Sequence, residues 1–353
     1  MEGNINEFTN RKPILVIKFG TASITTEGGE LDETVIRTIA DQVSQIRDQY
    51  RIVLVSSGAV AAGKGLLHSY RGTLTERKAA AAIGNTLLLN KYSHYFAPYG
   101  IHVAQSLCER GHFSNRAQFL QLKQTYEKLW ESNIIPIANE NDVVSNLELK
   151  FSDNDELATL IAVGFDASML LFSTSVPGVL DSDQQLIQEL DTTDRSVLQL
   201  ANKDKSAAGL GGMASKLMYT RLANQMGIEV VIFGIRSDQG ILKALEGKTG
   251  TRCKRQFCSI SARNRWLASG SIIKGKVEID EGARHALSRR FSLLAVGITQ
   301  VLGGFEAGEV IEILDQSGAP IALGKVRLSS GFLETNLKTQ NLEVVNATDI
   351  VFI

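Results

Sequence analysis

Ile14-Leu-Val-Ile-Lys-Phe19, followed by Gly20-Thr-Ala-Ser23, is the stretch from which the rest of the chain is read. Apart from Lys18 the run is apolar without alternation, which suits a strand buried on both faces of a parallel sheet. Apolar residues then recur at helical spacing between Asp32 and Tyr50 (Val35, Ile36, Ile39, Val43, Ile46). Arg51-Ile-Val-Leu-Val-Ser56 repeats the strand pattern, and Ser57-Gly58 leads into Ala59-Val-Ala-Ala62. Strand, glycine turn, helix, twice over, is the rhythm of an α/β domain. Further helices are predicted over 75–94, 117–131, 151–163 and 213–226, and strands over 101–105, 133–138, 167–172 and 229–233. The expected architecture of residues 1–250 is an open, mainly parallel sheet sandwiched by helices.

The character changes beyond Arg263. Ile272-Ile273, Lys276–Ile279, Val310–Leu314, Ile321–Leu323 and Ile350–Ile353 are short and partly alternating, with Gly303-Gly304 and Ser317-Gly318 between them. That pattern predicts a small all-β module over 265–353. The bridge Gly247–Arg265 carries Lys248, Arg252, Lys254, Arg255, Arg263 and Arg265 among Gly, Ser and Thr, and reads as a solvated linker, placed at 251–264.

The 353 residues hold 37 Lys+Arg against 38 Asp+Glu, so there is no chain-wide electrostatic case for nucleic acid or an anionic membrane. At 44% hydrophobic and 21% charged, the composition is that of a soluble globular protein. Three cysteines (Cys108, Cys253, Cys258) exclude a disulfide scaffold and read as ordinary thiols. The histidines (68, 94, 102, 112, 285) show no metal-ligand spacing. No apolar run approaches the ~20 residues of a spanning helix, and Met1–Pro13 has no apolar signal-peptide core. A cytoplasmic protein is expected.

Three glycine turns could bring backbone close to an anion: Lys18-Phe-Gly-Thr-Ala-Ser23, Ser56-Ser-Gly-Ala-Val-Ala-Ala-Gly63 and Gly209-Leu-Gly-Gly-Met-Ala-Ser-Lys216. Gly58–Lys64 fits G-x-x-x-x-G-K, but Gly65 stands where a P-loop needs a hydroxyl for magnesium. No G-x-G-x-x-G dinucleotide fingerprint is present. Acids and amides concentrate in Asn139-Glu-Asn-Asp142, after a strand, and in Ser152-Asp-Asn-Asp-Glu156, at a helix start. An N-cap accounts for Ser152-Asp153, with Asp155 and Glu156 complementing the dipole. Two such loops beside lysine-bearing glycine turns point further, to phosphoryl transfer, which needs cations on the moving group and polar groups on the acceptor.

These motifs in this order resemble the amino acid kinase family. The match runs through VIKFGTASIT (16–25), VLVSSGAVAAG (53–63), YGIHVAQ (99–105), IPIANENDVV (135–144), FSDNDELA (151–158) and GLGGMASK (209–216). It continues into Arg265-Trp266 and Gly275–Ala283, which resemble a PUA domain. Within the family the likeness is to members that phosphorylate the γ-carboxylate of free L-glutamate with ATP, making γ-glutamyl phosphate on the way to proline.

The resemblance implies roles residue by residue. Lys18 and Lys216 would contact ATP phosphates, with Asp155 positioning them. Gly20, Gly58, Gly211 and Gly212 would line the phosphate path. Thr174, Ser175, Leu210, Met213, Ala214 and Ser215 would complete the nucleotide site. Ser57, Gly58, Asp142 and Asn154 would hold glutamate, Asp142 facing its ammonium group. Mg2+ would travel on ATP oxygens and water, with no protein ligand. The family pattern carries Thr-Asp where this chain has Thr174-Ser175, and often Thr where it has Leu210. Proline as a feedback inhibitor acting near 142–150, a glutamyl phosphate reductase as partner and a homo-oligomer are implied in the same way. RNA is not expected at the PUA-like module, where residues 264–353 hold nine Lys+Arg against ten acids. The competing readings are a kinase for N-acetylglutamate or aspartate, and a degenerate kinase that binds RNA.

Overall fold

The structure, a computed structural model, describes residues 11–144, 153–192, 212–256 and 273–352. In chain order the first part carries β1 (Ile14–Phe19), α1 (Thr21–Ile24), α2 (Glu33–Ile46), β2 (Arg51–Ser56), α3 (Ala59–Lys64), α4 (Leu74–Phe96), β3 (His102–Cys108), α5 (Arg110–Ser114), α6 (Arg116–Glu131) and β4 (Ile134–Glu140). There follow α7 (Asn154–Phe165), β5 (Met169–Thr174), β6 (Glu189–Leu190), α8 (Met213–Gln225), β7 (Glu229–Gly234), α9 (Gly240–Leu245) and β8 (Thr251–Cys253). These strands form one eight-stranded sheet in the order β3-β4-β2-β1-β5-β7-β8-β6. All neighbours run parallel except β7 and β8.

The sheet is built as its sequence pattern requires. Every residue of β1 is buried, as expected for a central strand covered on both faces. α2 starts where Asp32 accepts hydrogen bonds from the N–H groups of Thr34 and Val35. Its inward stripe Val35, Ile36, Ile39, Val43, Ile46 joins the core with Leu15, Ile17, Leu54 and Val231. α4 begins with a reciprocal capping box between Thr73 and Glu76. α7 is buried nearly all round and ends at Asp166, whose φ of 61° closes the helix in the left-handed conformation.

The chain divides into two compact units, one of Met1–Glu109 with Leu120–Cys258 and one of Arg110–Phe119 with Ser259–Ile353. In the second, six strands order as β10-β14-β13-β12-β9-β11, comprising β9 (Ile273–Ile279), β10 (Leu293–Leu294), β11 (Ile298–Leu302), β12 (Val310–Leu314), β13 (Pro320–Val326) and β14 (Glu343–Phe352). Only β9 and β12 pair in parallel; the other neighbours are antiparallel. Val277, Ile279, Ile311, Ile313 and Val345 belong to its own core.

The expected linker needs correction at its start. Thr251–Cys253 is β8, antiparallel to β7, with Thr251 and Cys253 buried. Arg252, which reads as a solvated charge, pairs instead with Glu229 at 2.5 Å. Three residues are too few for a periodicity to reveal a strand.

Gly63, the second glycine of the P-loop-like match, has a packing role. A Cβ there would lie 2.0 Å from the Ala80 carbonyl oxygen, and one on Gly84 would lie 1.7 Å from that of Ala59. The two glycines let α3 and α4 touch backbone to backbone. Gly84→Ala or Gly63→Ala is expected to destabilise by about 3 kcal/mol, since rigid backbone must move to admit the methyl. Gly65→Ala, where a Cβ meets nothing within 4 Å, should leave the denaturant midpoint in place.

Candidate active site

Parallel strands end on one side of a sheet, and ligands of open α/β sheets bind at that carboxyl edge. Here Phe19 lies in register with Ser56, and Val55 with Ala138. Phe19, Ser56 and Asn139 therefore lie side by side near the ends of β1, β2 and β4, with Gly20 and Ser57 just beyond.

Lys18, Asp155 and Lys216 meet at this edge. Lys18 Nζ lies 2.5 Å from Asp155 Oδ1, and Lys216 Nζ lies 3.0 Å from Asp155 Oδ2. Asp155 is 0% exposed, Lys18 4% and Lys216 6%. Burial by itself would raise the Asp155 carboxyl, but the charges of Lys18 and Lys216 hold it below the usual carboxylate range. Burial, and then the like charge of Lys18, push Lys216 below the usual lysine range against the opposing pull of Asp155. Two buried ammonium groups thus flank one buried carboxylate, with the Asp153 carboxylate also acting on Lys216, and such a pair of cations is the chemistry that suits an anionic ligand.

Two helix N-termini are fixed to this cluster by one side chain. Asp153 caps α7, its Oδ1 accepting from the N–H groups of Asp155 and Glu156. Its Oδ2 accepts from the Ser215 hydroxyl in the first turn of α8 at 2.5 Å. The N-cap reading of Asp153 holds, and the next-but-one residue, Asp155, carries the carboxylate that pairs with both lysines. α8 starts at Gly212 with no side-chain cap, which leaves its first N–H groups for an anion.

A polar network lies on the other side of α7. Asn154 Nδ2 donates to Ser57 Oγ and to Asn139 Oδ1, each at 2.9 Å. Asn139 Nδ2 donates to Asn85 Oδ1 of α4 at 3.0 Å. The Glu140 backbone N–H is shared between Asn139 Oδ1 (2.9 Å) and Asn154 Oδ1 (3.3 Å). Asn139 belongs to the polar loop singled out in the sequence, though without a role of its own, and Asn85 is not expected from sequence. Asn85 does leave a trace there, because it falls on the stripe Ala81, Asn85, Leu88, Tyr92 whose other members are apolar or aromatic.

Of the glycines at this edge, Gly58 is needed as such, while Gly20 is not demanded by its backbone. Gly58 has φ of 99° at the start of α3, and a Cβ would press within 2.8 Å of Ile24 Cδ1. A Cβ on Gly20 would stand 3.4 Å from Lys18 Nζ, in the space beside the ammonium. Asp142 lies just past the end of β4, and Thr174 and Ser175 at the end of β5. Met213 and Ala214 form the first turn of α8. Leu210 and Gly211 lie outside the described residues. Burial pushes the Cys108 thiol up to about 11 and Cys253 up to about 12, so neither is a thiolate at neutral pH. Cys258 lies outside the described residues. No helix among the described residues is long and apolar enough to cross a membrane.

Comparison with known proteins gives this geometry a family. The model of the amino acid kinase family matches residues 13–234, and that of the PUA domain matches residues 275–344. A protein named glutamate 5-kinase from Kosmotoga olearia is 36% identical over 340 residues, covering 94% of each chain. One of the same name from Haemophilus influenzae is 34% identical over 347 residues, covering 95% of this chain and 94% of its own. Among solved structures, carbamate kinase from Giardia lamblia bound to AMP-PNP superposes with a TM-score of 0.51 at 18% identity. It covers 69% of this chain and 99% of its own, a likeness of fold. The chain belongs to the amino acid kinase family, a family of kinases, and carries a PUA domain in its C-terminal part.

Proposed function

We propose that this chain transfers the γ-phosphoryl group of ATP to the γ-carboxylate of L-glutamate, giving γ-glutamyl phosphate and ADP, the first step of proline biosynthesis. The observation that carries the reading is the buried cluster in which Asp155 gathers two ammonium groups, those of Lys18 and Lys216, at the carboxyl edge of the sheet. Relatives named glutamate 5-kinase that align with 94% and 95% of the chain support glutamate as the acceptor.

A γ-carboxylate oxygen attacks the γ-phosphorus while the bond to the β–γ bridging oxygen breaks, and that electron pair leaves with ADP. The acceptor is already ionised at pH 7, so no proton is removed and no general base is required. Acceptor and triphosphate are both anionic, and their approach is repulsive unless compensated. Lys18 and Lys216 supply the compensation, in a water-poor site where each such contact is worth a few kcal/mol. Asp155 fixes both ammonium groups. Gly20, Gly211, Gly212 and the first N–H groups of α8 line the phosphate path, and Thr174, Ser175, Leu210, Met213, Ala214 and Ser215 flank the nucleotide. Ser57, Gly58, Asn154 and Asp142 hold glutamate.

ATP would enter as its magnesium complex. Asp155 is engaged by two lysines and Asp153 by Ser215 and two backbone N–H groups. The ion would therefore ride on phosphate oxygens and water, as is usual for magnesium, and lower the charge of the triphosphate. The same reading carries proline as a feedback inhibitor near 142–150, a reductase consuming the labile product, a homo-oligomeric assembly and a cytoplasmic location.

Hydroxylamine trapping tests the acceptor. With ATP, magnesium and a panel of glutamate, N-acetylglutamate, aspartate and carbamate, hydroxamate is expected with glutamate alone; another acceptor, or silence, would overturn the proposal. Lys216→Met should cut turnover by about 100- to 1,000-fold with little change in unfolding temperature, because Asp155 keeps Lys18. Asp155→Asn should also destabilise, by about 3–5 kcal/mol, because two buried ammonium groups lose their counter-charge. ATP affinity should fall as pH rises through the lowered Lys216 value, at a lower pH than an ordinary lysine would give. Nucleotide titration at stepped pH would register that limb, which Lys216→Met should remove.

A further inference from the structure

The amide of Asn85 has one end bonded and the other bare. Its Oδ1 accepts from Asn139 Nδ2 at 3.0 Å, while its Nδ2 is buried with no hydrogen-bond partner among the described residues. Asn85 is 5% exposed. An orphaned buried donor is costly, and an apolar side chain there would remove it only by stranding the buried Asn139 Nδ2 instead. Tyr92, two turns further along α4, has its hydroxyl on Ser56 Oγ at 2.9 Å. The close α3–α4 contact through Gly63 and Gly84 brings the Asn85 turn of this helix to the strand ends.

The direction of the amide chain follows from one unambiguous donor, the Glu140 backbone N–H. It fixes Asn139 Oδ1 as an acceptor at 2.9 Å. Asn139 must then turn its NH2 end toward α4, and Asn85 must answer with its oxygen. Reversing Asn85 would set two NH2 groups face to face, so its own NH2 is left bare instead. Asn139 Oδ1 also receives Asn154 Nδ2, and Asn154's second N–H goes to Ser57 Oγ. Both donors of Asn154 are thereby used inside the protein. What remains is one lone pair on Asn154 Oδ1, suited to a substrate ammonium, and the Ser57 hydroxyl proton, suited to a substrate carboxylate.

We infer that Asn85 is a positioning residue for the amino-acid substrate: by accepting from Asn139 Nδ2 it holds Asn139 in the orientation that the Glu140 N–H selects, and so steadies the atoms of Asn154 and Ser57 that face the ligand. The inference rests on the glutamate reading above. It adds a residue on α4 that does not touch the nucleotide cluster.

The test compares wild type, Asn85→Leu and Asn85→Asp by steady-state kinetics in both substrates and by thermal unfolding. Asn85→Leu should raise KM for glutamate about tenfold, the equivalent of one lost hydrogen bond. KM for ATP should stay within about twofold and the unfolding temperature close to wild type. Asn85→Asp keeps the acceptor oxygen and should bring KM for glutamate back most of the way. Should Asn85→Leu fail to fold, Asn85→Ala serves the same comparison, and failure of both assigns Asn85 a purely structural role. An unchanged KM for glutamate, a joint rise in both KM values with lowered stability, or an Asn85→Asp that behaves like Asn85→Leu would each overturn the inference. A wild-type protein inactive on glutamate would remove the underlying reading instead, and the inference with it.

Discussion

A carboxylate shut away from water is charged at neutral pH only if something nearby holds it so, and Asp155 is held by two ammonium groups on its two oxygens. The dependence runs both ways, because neither Lys18 nor Lys216 could be buried as a cation beside the other without that carboxylate. Three chain segments are tied together by this contact: the end of β1, the start of α7 and the first turns of α8. The arrangement is poor as a stabilising device, since desolvation offsets much of the attraction. On the function proposed above, the two ammonium groups it gathers serve the incoming phosphate.

The rest of the first unit serves to hold those segments in place. β1 is covered on both faces, so its register against β2 and β5 fixes where Lys18 leaves the sheet. Asp153 fixes α7 to α8 through Ser215, so the helices that deliver Asp155 and Lys216 share one cap. The amide chain behind Ser57 and Asn154 does comparable work for the acceptor side, with its far end on α4. The two halves of the site are held by different physics. The lysine–aspartate cluster, nucleotide side on the proposed function, relies on charge, and the amide chain, its proposed acceptor side, on directed, neutral hydrogen bonds.

Much of this was legible in the residues. The unbroken apolar runs gave β1, β2, β4, β5 and β7 within a residue or two, because a strand buried on both faces has no polar side to show. The glycine turns and the two polar loops marked the carboxyl edge. Arg252 misled because a paired, partly buried arginine looks like a solvated one until its partner is known. Gly63 shows a related ambiguity, since a glycine that admits a neighbouring helix is spelled like one that admits a phosphate.

The sequence by itself determined the order and type of the elements, the α/β character of the first part and the β character of the second. It also supplied the residue types for handling anions, because periodicity and local chemistry act over a few neighbours. That Asp155 positions Lys216, 61 residues away, was implied only by family resemblance, and the tertiary structure decided that the contact is direct and buried. It alone decided that Asn85 and Asn139, 54 apart, face each other. Such pairings depend on the directions in which helices leave a twisted sheet and on how closely backbones approach. Those are properties of packing, and no local pattern of residues encodes them.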